Sequence, residues 1–363
     1  MRRVVLILPG ILGEPSVLAQ ARPGLRRLLD AGRVVRIAPA APVETLEALW
    51  LGLRSDEGQL RQGPLTVSAL GADPPERSLH FHLSVGSLQS GRLHQLDLAL
   101  PENEARTIET LAPKLDTPTL TFVKGEQLDH ALVWESLGDL RTTSIAEASD
   151  LPIPDALPEG DGEPIFRRYI DDSVNLLAEC EFNLRRQDEG LPPANILWPW
   201  GHGIRYPVPN LALRRGEPAR VESGSIRLAG LARLAGYRHG SRSWAHGALG
   251  KRAPAIRERL EPGSVVVVDA LPAELRKSDR LDELDWYAAQ LDSHVFQPLA
   301  EALPRERVAL LVACPGSESG LALIVDPSAS SDVRVPFDEH SLDERLPTYS
   351  IEALVDRTLS PTD

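Results

Sequence analysis

Short, continuous runs of apolar residues, many of them β-branched, recur near both ends of the chain. Strands that helices cover on both faces have this pattern, because neither face meets water. Between the runs the spacing predicts amphipathic helices, including one from Leu281 to Leu299 with apolar residues every three or four positions. The alternation predicts an α/β fold with a doubly wound, mostly parallel sheet. The predicted strands are Val4–Leu8, Val34–Ile37, Val265–Val268, Val308–Val312 and Ala322–Val325.

The middle of the chain has a different pattern. Apolar residues alternate with polar ones from Leu79 to Val85, which is typical of a half-buried antiparallel strand whose polar face carries His80, His82 and Ser84. Further short strands are predicted at Leu120–Val123 and Ala131–Trp134, and a proline-rich linker follows. The sequence therefore predicts an α/β core from residues 1–55 and 190–363, interrupted by an inserted α+β domain over residues 56–189.

Composition narrows the class of protein. The chain has 363 residues and a formal net charge of −13, which disfavours general binding to nucleic acid. Its two cysteines, Cys180 and Cys314, lie far apart in sequence and predict reduced thiols rather than a metal site or a disulfide framework. The first apolar run ends at Pro9 after five residues, too short for a secretion signal or a membrane span. We therefore expect a cytoplasmic protein with no membrane partner.

One region carries specific motifs. Gly190-Leu191-Pro192-Pro193-Ala194-Asn195 is followed by Ile196–Trp200, then Gly201-His202-Gly203, and later by the stretch Arg227–Gly236. These residues resemble the "LPPAN…RGAG" segment and the "GVARLLG" helix of archaeal-type cofactor-independent phosphoglycerate mutases. Arg61–Leu65 is similar to their "GRGPLEA", and Leu79–Ser84 to their "VAFRCN". The segment Leu-Trp-Pro-Trp-Gly-His-Gly also resembles the corresponding segment of RpfE-type regulatory proteins, a bacterial offshoot of this family.

The resemblance implies the alkaline-phosphatase superfamily fold, with a serine nucleophile and two divalent metals held by Asp and His ligands. Such a centre needs several carboxylates and imidazoles. The resemblance places its four parts on residues that are neither the family's ligands nor its nucleophile: Pro9, Val43 at the serine position, Pro272 with Arg276, and Cys314 with Pro315. We therefore expect a degenerate relative without metals, cofactors or catalytic residues, which binds a ligand or a protein and has a regulatory role.

Two basic loops are the candidates for binding a small phosphorylated or carboxylate ligand. They contribute His202 and Arg205 from one loop, and Arg238, His239, Arg242 and His246 from the other. If they converge, we expect an anion to bind more tightly as pH falls through the histidine range near ~6.5. Arg242 is expected to be exposed, so that its removal would leave stability unchanged. For Arg238 to His246, the alternative is a solvated loop after a helix end. For His202 and Arg205, it is a packed aromatic turn. By resemblance, Trp200 in this turn takes the position of an arginine that grips phosphate in the mutases.

Other functions stay open at this point. An active metal-dependent phosphoglycerate mutase or phosphatase could use a rearranged site, such as Thr45 with His202, His239 and His246. A metal-free enzyme on the same fold is a third reading, because a fold does not fix a function. His80 and His82 could share a metal, but no third ligand is evident, so a polar strand face is the preferred interpretation.

Overall fold

The computed structural model describes residues 1–9, 22–38, 48, 50, 51, 53, 60–96, 100–149, 151–205, 207–216, 219–261, 264–271, 275, 281–315, 320–326 and 346–360. The chain divides into two compact units. Unit 1 contains Met1–Gln59 and Val208–Asp363, and unit 2 contains Leu60–Pro207. None of the described helices is long and apolar enough to cross a membrane.

The described strands, in chain order, are β1 (Arg2–Ile7), β2 (Arg33–Ile37), β3 (Leu79–Gln89), β4 (Arg92–Gln95), β5 (Leu120–Glu126), β6 (Asp129–Trp134), β7 (Leu140–Arg141), β8 (Glu159–Gly160), β9 (Ile196–Gly203), β10 (Arg220–Glu222), β11 (Arg238–His239), β12 (Val265–Asp269), β13 (Val308–Cys314), β14 (Gly320–Val325) and β15 (Thr348–Tyr349).

The described α-helices are α1 (Pro23–Ala31), α2 (Gln62–Leu70), α3 (Glu102–Leu111), α4 (Ile145–Ala148), α5 (Ile153–Ala156), α6 (Glu163–Ala178), α7 (Glu181–Asp188), α8 (Leu211–Arg215), α9 (Ile226–Leu234), α10 (Ser243–His246), α11 (Leu249–Arg259), α12 (Leu281–Leu291), α13 (Gln297–Ala302) and α14 (Ile351–Leu359). A 3₁₀ turn, Ala112–Leu115, follows α3, and a π-helical turn, Asp292–Phe296, joins α12 to α13.

Unit 1 is built on a large, mostly parallel sheet, as predicted. In the described part of the unit, eight strands follow the order β11-β10-β12-β1-β13-β14-β2-β15. The first five of these run parallel, whereas β14 is antiparallel to both of its neighbours. The link from Cys314 to Gly320 is too short for a crossover helix, which explains the antiparallel pairing of β13 and β14.

The apolar runs form the core of unit 1. Every residue of β1, β13 and β14 is buried, consistent with a sheet covered on both faces. One face packs against α1, α11, α12 and α13, through Leu25, Ile256, Tyr287 and Leu299. The predicted long helix over Leu281–Leu299 is interrupted by the π-helical turn, whose Asp292 carboxylate accepts hydrogen bonds from the N–H groups of Gly24 (3.1 Å) and Leu25 (2.8 Å). Arg22, the N-cap residue of α1, makes no side-chain cap hydrogen bond. The Asp292 carboxylate therefore caps the start of α1 in its place.

Unit 2 contains a separate, antiparallel sheet. Strand β3 is central. Strand β9 pairs with one edge of β3, and β6 pairs with the other edge and is followed by β5. Strand β4 pairs with the last residues of β3, Gly86–Gln89. Helix α6 packs on one face through Phe166, whose ring centroid lies 4.7 Å from that of Phe81. Helix α2 covers the opposite face, where Gly63 is needed because a Cβ at this position would lie 2.0 Å from the carbonyl oxygen of His80.

Two sequence expectations differ from this arrangement. The predicted insert ended at residue 189, whereas the segment up to Pro207 lies in unit 2, because β9 pairs with β3. The polar face of β3 was expected to meet solvent, but helix α2 covers it, and His80 and His82 are each 3% exposed. The alternation of apolar and polar residues could not reveal this, since these histidines find hydrogen-bond partners inside the fold.

Candidate functional site

The carboxyl ends of β1, β12 and β13 meet at one edge of the unit 1 sheet, because these strands are parallel neighbours. Ligand sites of α/β sheets lie at this edge. Strand β1 leads there into Leu8 and Pro9, and β13 ends at Cys314; Leu8 and Cys314 are fully buried. Burial raises the pKa of the Cys314 thiol, which therefore stays protonated at neutral pH. As far as the structure describes them, up to Pro9 and Pro315, neither strand end offers a carboxylate or an imidazole.

Strand β12 ends differently. Its last residue, Asp269, is a buried acid that sequence reasoning missed, although it directly follows the predicted strand Val265–Val268. Its Oδ2 accepts a hydrogen bond from Ser223 Oγ at 2.9 Å, and Ser223 Oγ accepts one from the N–H of Ser225 at 2.9 Å. Asp269 and Ser223 thus place one carboxylate and one hydroxyl at this edge.

Arg242, in the basic loop after β11, is a structural residue. It is 4% exposed, and its Nη1 donates a hydrogen bond to the carbonyl oxygen of Gly224 at 3.2 Å. The expectation that Arg242 is exposed is therefore wrong, because the guanidinium is used to hold two loops of unit 1 together. Arg238 is exposed, and His246 lies half-buried on α10.

His239 is half-buried, and its environment keeps it neutral. Burial, followed by the charge of Arg242, lowers the pKa of His239 from 6.5 to about 4, although a hydrogen bond with the backbone of Ser223 acts in the opposite direction. An anion site on this loop would therefore not gain a positive charge from His239 near pH 6. The expected tightening of binding through the ordinary histidine range does not apply to this residue.

A buried acid, Glu222, lies against the same loop. Glu222, at the end of β10, is 2% exposed and forms ion pairs with Arg259 Nε at 2.9 Å and Arg220 Nε at 3.0 Å. Burial raises its pKa, and the two arginines oppose that effect. Gly240 lies against the carboxylate, where a Cβ would come within 2.6 Å of both oxygens. No sequence pattern predicts this contact, because it depends on the register of β10 and β11.

In unit 2, His202 and Arg205 make different contacts. The His202 ring lies 5.6 Å from the ring of Phe81, on the face of the sheet that α6 covers. The charge of Arg205 instead acts on His80, on the face that α2 covers; burial first, and Arg205 second, lower the pKa of His80 to about 4. Arg205 also makes an exposed ion pair with Asp73, with 3.4 Å between Nη1 and Oδ1.

His202 is held by a hydroxyl group. Its Nδ1 lies 3.1 Å from Thr142 Oγ1, which also accepts a hydrogen bond from the N–H of Gly201 at 3.2 Å. Burial and then the charge of Arg61 lower the pKa of His202, whereas the charge of Asp139 raises it. The side-chain stem of Arg61 lies against Gly203, and the sequence had identified neither Arg61 nor Asp139 as a site residue.

The other two histidines of β3 have structural partners. Ser78 Oγ lies 3.1 Å from His80 Nε2, and Thr66 Oγ1 lies 2.9 Å from His82 Nδ1. Trp200 packs edge-on against His82 with ring centroids 5.0 Å apart, and its Nε1 donates to Ser84 Oγ at 2.9 Å. Among the residues that the structure describes, no three His, Cys, Asp or Glu side chains are grouped so that they could hold a metal ion.

The predicted site residues therefore fall into two groups. Unit 1 carries Arg238, His239, Arg242 and His246 on one loop, and unit 2 carries His202, which packs against Phe81, and Arg205, which pairs with Asp73. A single anion site formed by both groups stays a prediction. Val43, Pro272 and Arg276, at positions of the expected metal and nucleophile centre, lie outside the described residues, as does Thr45, the alternative nucleophile.

No protein-family model matches the chain. Among curated proteins it is similar to 2,3-bisphosphoglycerate-independent phosphoglycerate mutases of archaea. It is 30% identical to that of Methanosarcina barkeri over 146 residues, which are 39% of this chain but only 37% of the mutase. It is 26% identical to that of Methanothrix thermoacetophila over 297 residues, which are 80% of this chain and 74% of the mutase. The Methanosarcina mazei protein is 24% identical over 79% of this chain and 73% of its own length.

Solved structures show the same relationship at the level of the fold. A cofactor-independent phosphoglycerate mutase from Thermoplasma acidophilum superimposes with a TM-score of 0.61 at 18% identity, covering 99% of this chain and all of that one. A Pyrococcus horikoshii protein superimposes with a TM-score of 0.69 at 15% identity, covering all of this chain and 99% of that one. The chain is thus a homologue of the archaeal cofactor-independent phosphoglycerate mutases and has their α/β fold.

Proposed function

We propose that this protein is a phosphoglycerate-mutase relative that has lost the bimetal centre and acts by binding a small anionic ligand or a protein partner. In this proposal it is a regulatory protein, as in the RpfE-type offshoot that its Leu-Trp-Pro-Trp-Gly-His-Gly segment resembles. The observation that carries the proposal is the carboxyl edge of the unit 1 sheet. The ends of β1 and β13 carry Pro9 and the buried, protonated Cys314, where paired divalent ions would need carboxylates or imidazoles.

The residues present do not fit two metals. Divalent cations of this kind require several oxygen or nitrogen ligands each. Asp269 is the one acid at the described ends of β1, β12 and β13, and its Oδ2 already accepts the Ser223 hydroxyl. Glu222, at the end of neighbouring β10, is already paired with Arg220 and Arg259. Among the described residues no group of three or more His, Cys, Asp or Glu could hold a metal ion, so no reaction step is assigned to metals in this protein.

Elemental analysis of protein purified without chelators tests this proposal. We expect far less than one zinc, manganese or magnesium per chain, no interconversion of phosphoglycerates, and no rescue of activity in Pro9→Asp, because one restored ligand does not make a site. About two divalent ions per chain together with mutase turnover would overturn it.

The second candidate is an active phosphatase or mutase with a rearranged site, and the Asp269–Ser223 pair is the observation that favours it. A buried carboxylate that accepts a serine hydroxyl could remove the proton of that hydroxyl. If the purified protein hydrolyses a phosphate ester, Asp269→Asn and Ser223→Ala should each abolish the activity while the protein stays folded. Activity that survives both substitutions would eliminate this candidate.

A further inference from the structure

The first step concerns how charge is distributed along the chain. Residues 208–259 contain eleven arginine and lysine residues but only three acids, a net charge of +8 in a chain whose total is −13. Of these acids, Glu222 is buried between two arginines, Glu258 is exposed on α11, and Glu217 lies outside the described residues. A basic segment in an acidic protein creates a local positive potential, which attracts negatively charged partners.

The second step concerns which of these cations a partner can reach. Five arginines of the segment support the fold through side-chain hydrogen bonds or ion pairs: Arg215, Arg220, Arg242, Arg252 and Arg259. Three others are exposed, and within the described residues their side chains form no hydrogen bond or ion pair: Arg214, Arg233 and Arg238. These three guanidinium groups are therefore available to a partner.

The third step concerns the turn that joins two of the available arginines. Gly236, with φ +81°, turns the chain from α9 into β11, and its N–H donates to the carbonyl oxygen of Arg233 at 3.1 Å. Arg238 follows at the start of β11, the outermost strand on this side of the described sheet, and pairs in register with Arg220 of β10. Arg233 and Arg238 thus lie on the two sides of one tight turn.

Helix α8 adds the third arginine and an apolar residue. It packs against the same turn, because the N–H of Ala212 donates to the carbonyl oxygen of Ala235 at 3.3 Å, and a Cβ on Gly236 would lie 2.4 Å from the N-cap side chain of the helix. The next two residues of α8 are Leu213, whose exposed fraction is 81%, and the exposed Arg214. An exposed leucine therefore lies among the available arginines.

We propose that Arg214, Arg233 and Arg238, with Leu213, form a basic patch that docks an acidic segment of another protein. Carboxylates of that segment would pair with the three guanidinium groups, and one of its apolar side chains would cover Leu213. This deepens the proposed function and rests on it, since it names the chemistry of the protein partner and its place on unit 1.

The composition of the basic patch favours this occupant. The planar fork of a guanidinium matches the two oxygens of a carboxylate. Leu213 gains free energy on burial only against an apolar group, which a sugar–phosphate backbone does not offer. Outside residues 208–259 the chain carries a net charge of −21, the difference between −13 and +8, and this charge repels nucleic acid.

Fluorescence anisotropy at low ionic strength tests the basic patch, with a labelled peptide of glutamates around one central leucine as the probe. We expect the wild type to bind this peptide and to lose affinity as salt is added. Arg238→Glu should weaken binding about tenfold, because one attraction becomes a repulsion. Leu213→Ser should weaken binding about fivefold, but should leave unchanged the affinity for a peptide in which serine replaces the leucine.

Arg307→Glu is the matched control, because it makes the same change in net charge at an exposed arginine of unit 1. Arg307 directly precedes β13, which lies four strand spacings, or roughly 19 Å, from β11. This variant should bind the peptide as the wild type does, and circular dichroism should show that all variants stay folded. Equal losses in Arg307→Glu and Arg238→Glu, or no binding of the peptide by the wild type, would show that the inference is wrong.

Two other outcomes would also overturn the inference by identifying a different occupant. Tighter binding of a labelled single-stranded DNA than of the peptide, lost in Arg238→Glu, would make the patch a nucleic-acid site. Self-association in sedimentation experiments, lost in the same variant, would make the occupant a second copy of this chain. The proposed function fails separately, if the protein holds about two divalent ions and has mutase turnover. A metal-free, inactive protein that ignores the peptide refutes this inference alone.

Discussion

Replacing Arg242 by alanine should destabilise unit 1. The Arg242 guanidinium is buried and donates to the carbonyl oxygen of Gly224 at 3.2 Å. A hydrogen bond from a charged donor contributes about 1.5–3 kcal/mol, and the buried stem of the side chain adds packing. We expect the free energy of unfolding to fall by about 2–4 kcal/mol, which corresponds to a drop in Tm of roughly 5–10 °C for a unit of this size.

Urea unfolding followed by circular dichroism, together with a thermal scan, would measure this loss. Arg238→Ala is the control, because Arg238 is an exposed arginine of the same loop and its removal should change stability by less than about 0.5 kcal/mol. Arg242→Lys should lie between the two, since lysine keeps a charge without the planar fork. An Arg242→Ala protein as stable as the Arg238→Ala protein would refute the structural role of Arg242.

Two further predictions concern stability. Asp292→Ala should lower the free energy of unfolding by about 2–4 kcal/mol in urea titration, because it removes both acceptors that cap α1; exposed Asp282→Ala is the control, and equal losses in both would contradict the cap. Burial lowers the pKa of His80 and of His239 to about 4, below the unfolded value of 6.5. The stability that each contributes is complete above pH 6.5 and is lost as pH falls toward 4, so unfolding free energies should decrease over this window, and less steeply in His80→Gln. A flat profile in the wild type would refute the assignment.

The sequence predicted the unit 1 sheet well, for a physical reason. Runs such as Val308–Val312 carry no polar residue, and only a strand covered on both faces can bury them. Strand β14 is as apolar as β13, which lies in the parallel part of the sheet, so composition could not reveal its direction, which follows from the short link after Cys314.

The candidate sites were harder to predict, because their chemistry depends on contacts distant in sequence. His202 was identified from the Gly-His-Gly wording, but its partner Thr142 precedes it by sixty positions. The sequence predicted Arg242 to be a solvated loop residue, because basic residues next to glycines and serines are usually exposed. Its contact with Gly224 depends on how two loops pack. Asp269 ends a run that pattern analysis treated as strand alone.

The proposed loss of metals changes what kind of recognition is possible. In a bimetal enzyme, most of the attraction for an anionic substrate comes from the ions. At the described edge of the unit 1 sheet, Asp269 is hydrogen-bonded to Ser223 and Glu222 is paired with Arg220 and Arg259, beside a buried thiol, so this edge does not supply that attraction. An exposed guanidinium such as that of Arg238 can bind an anion without a metal. Binding through one guanidinium and a few hydrogen bonds is weak and readily reversible, and such binding suits a protein that responds to the concentration of a ligand better than one that must transform it.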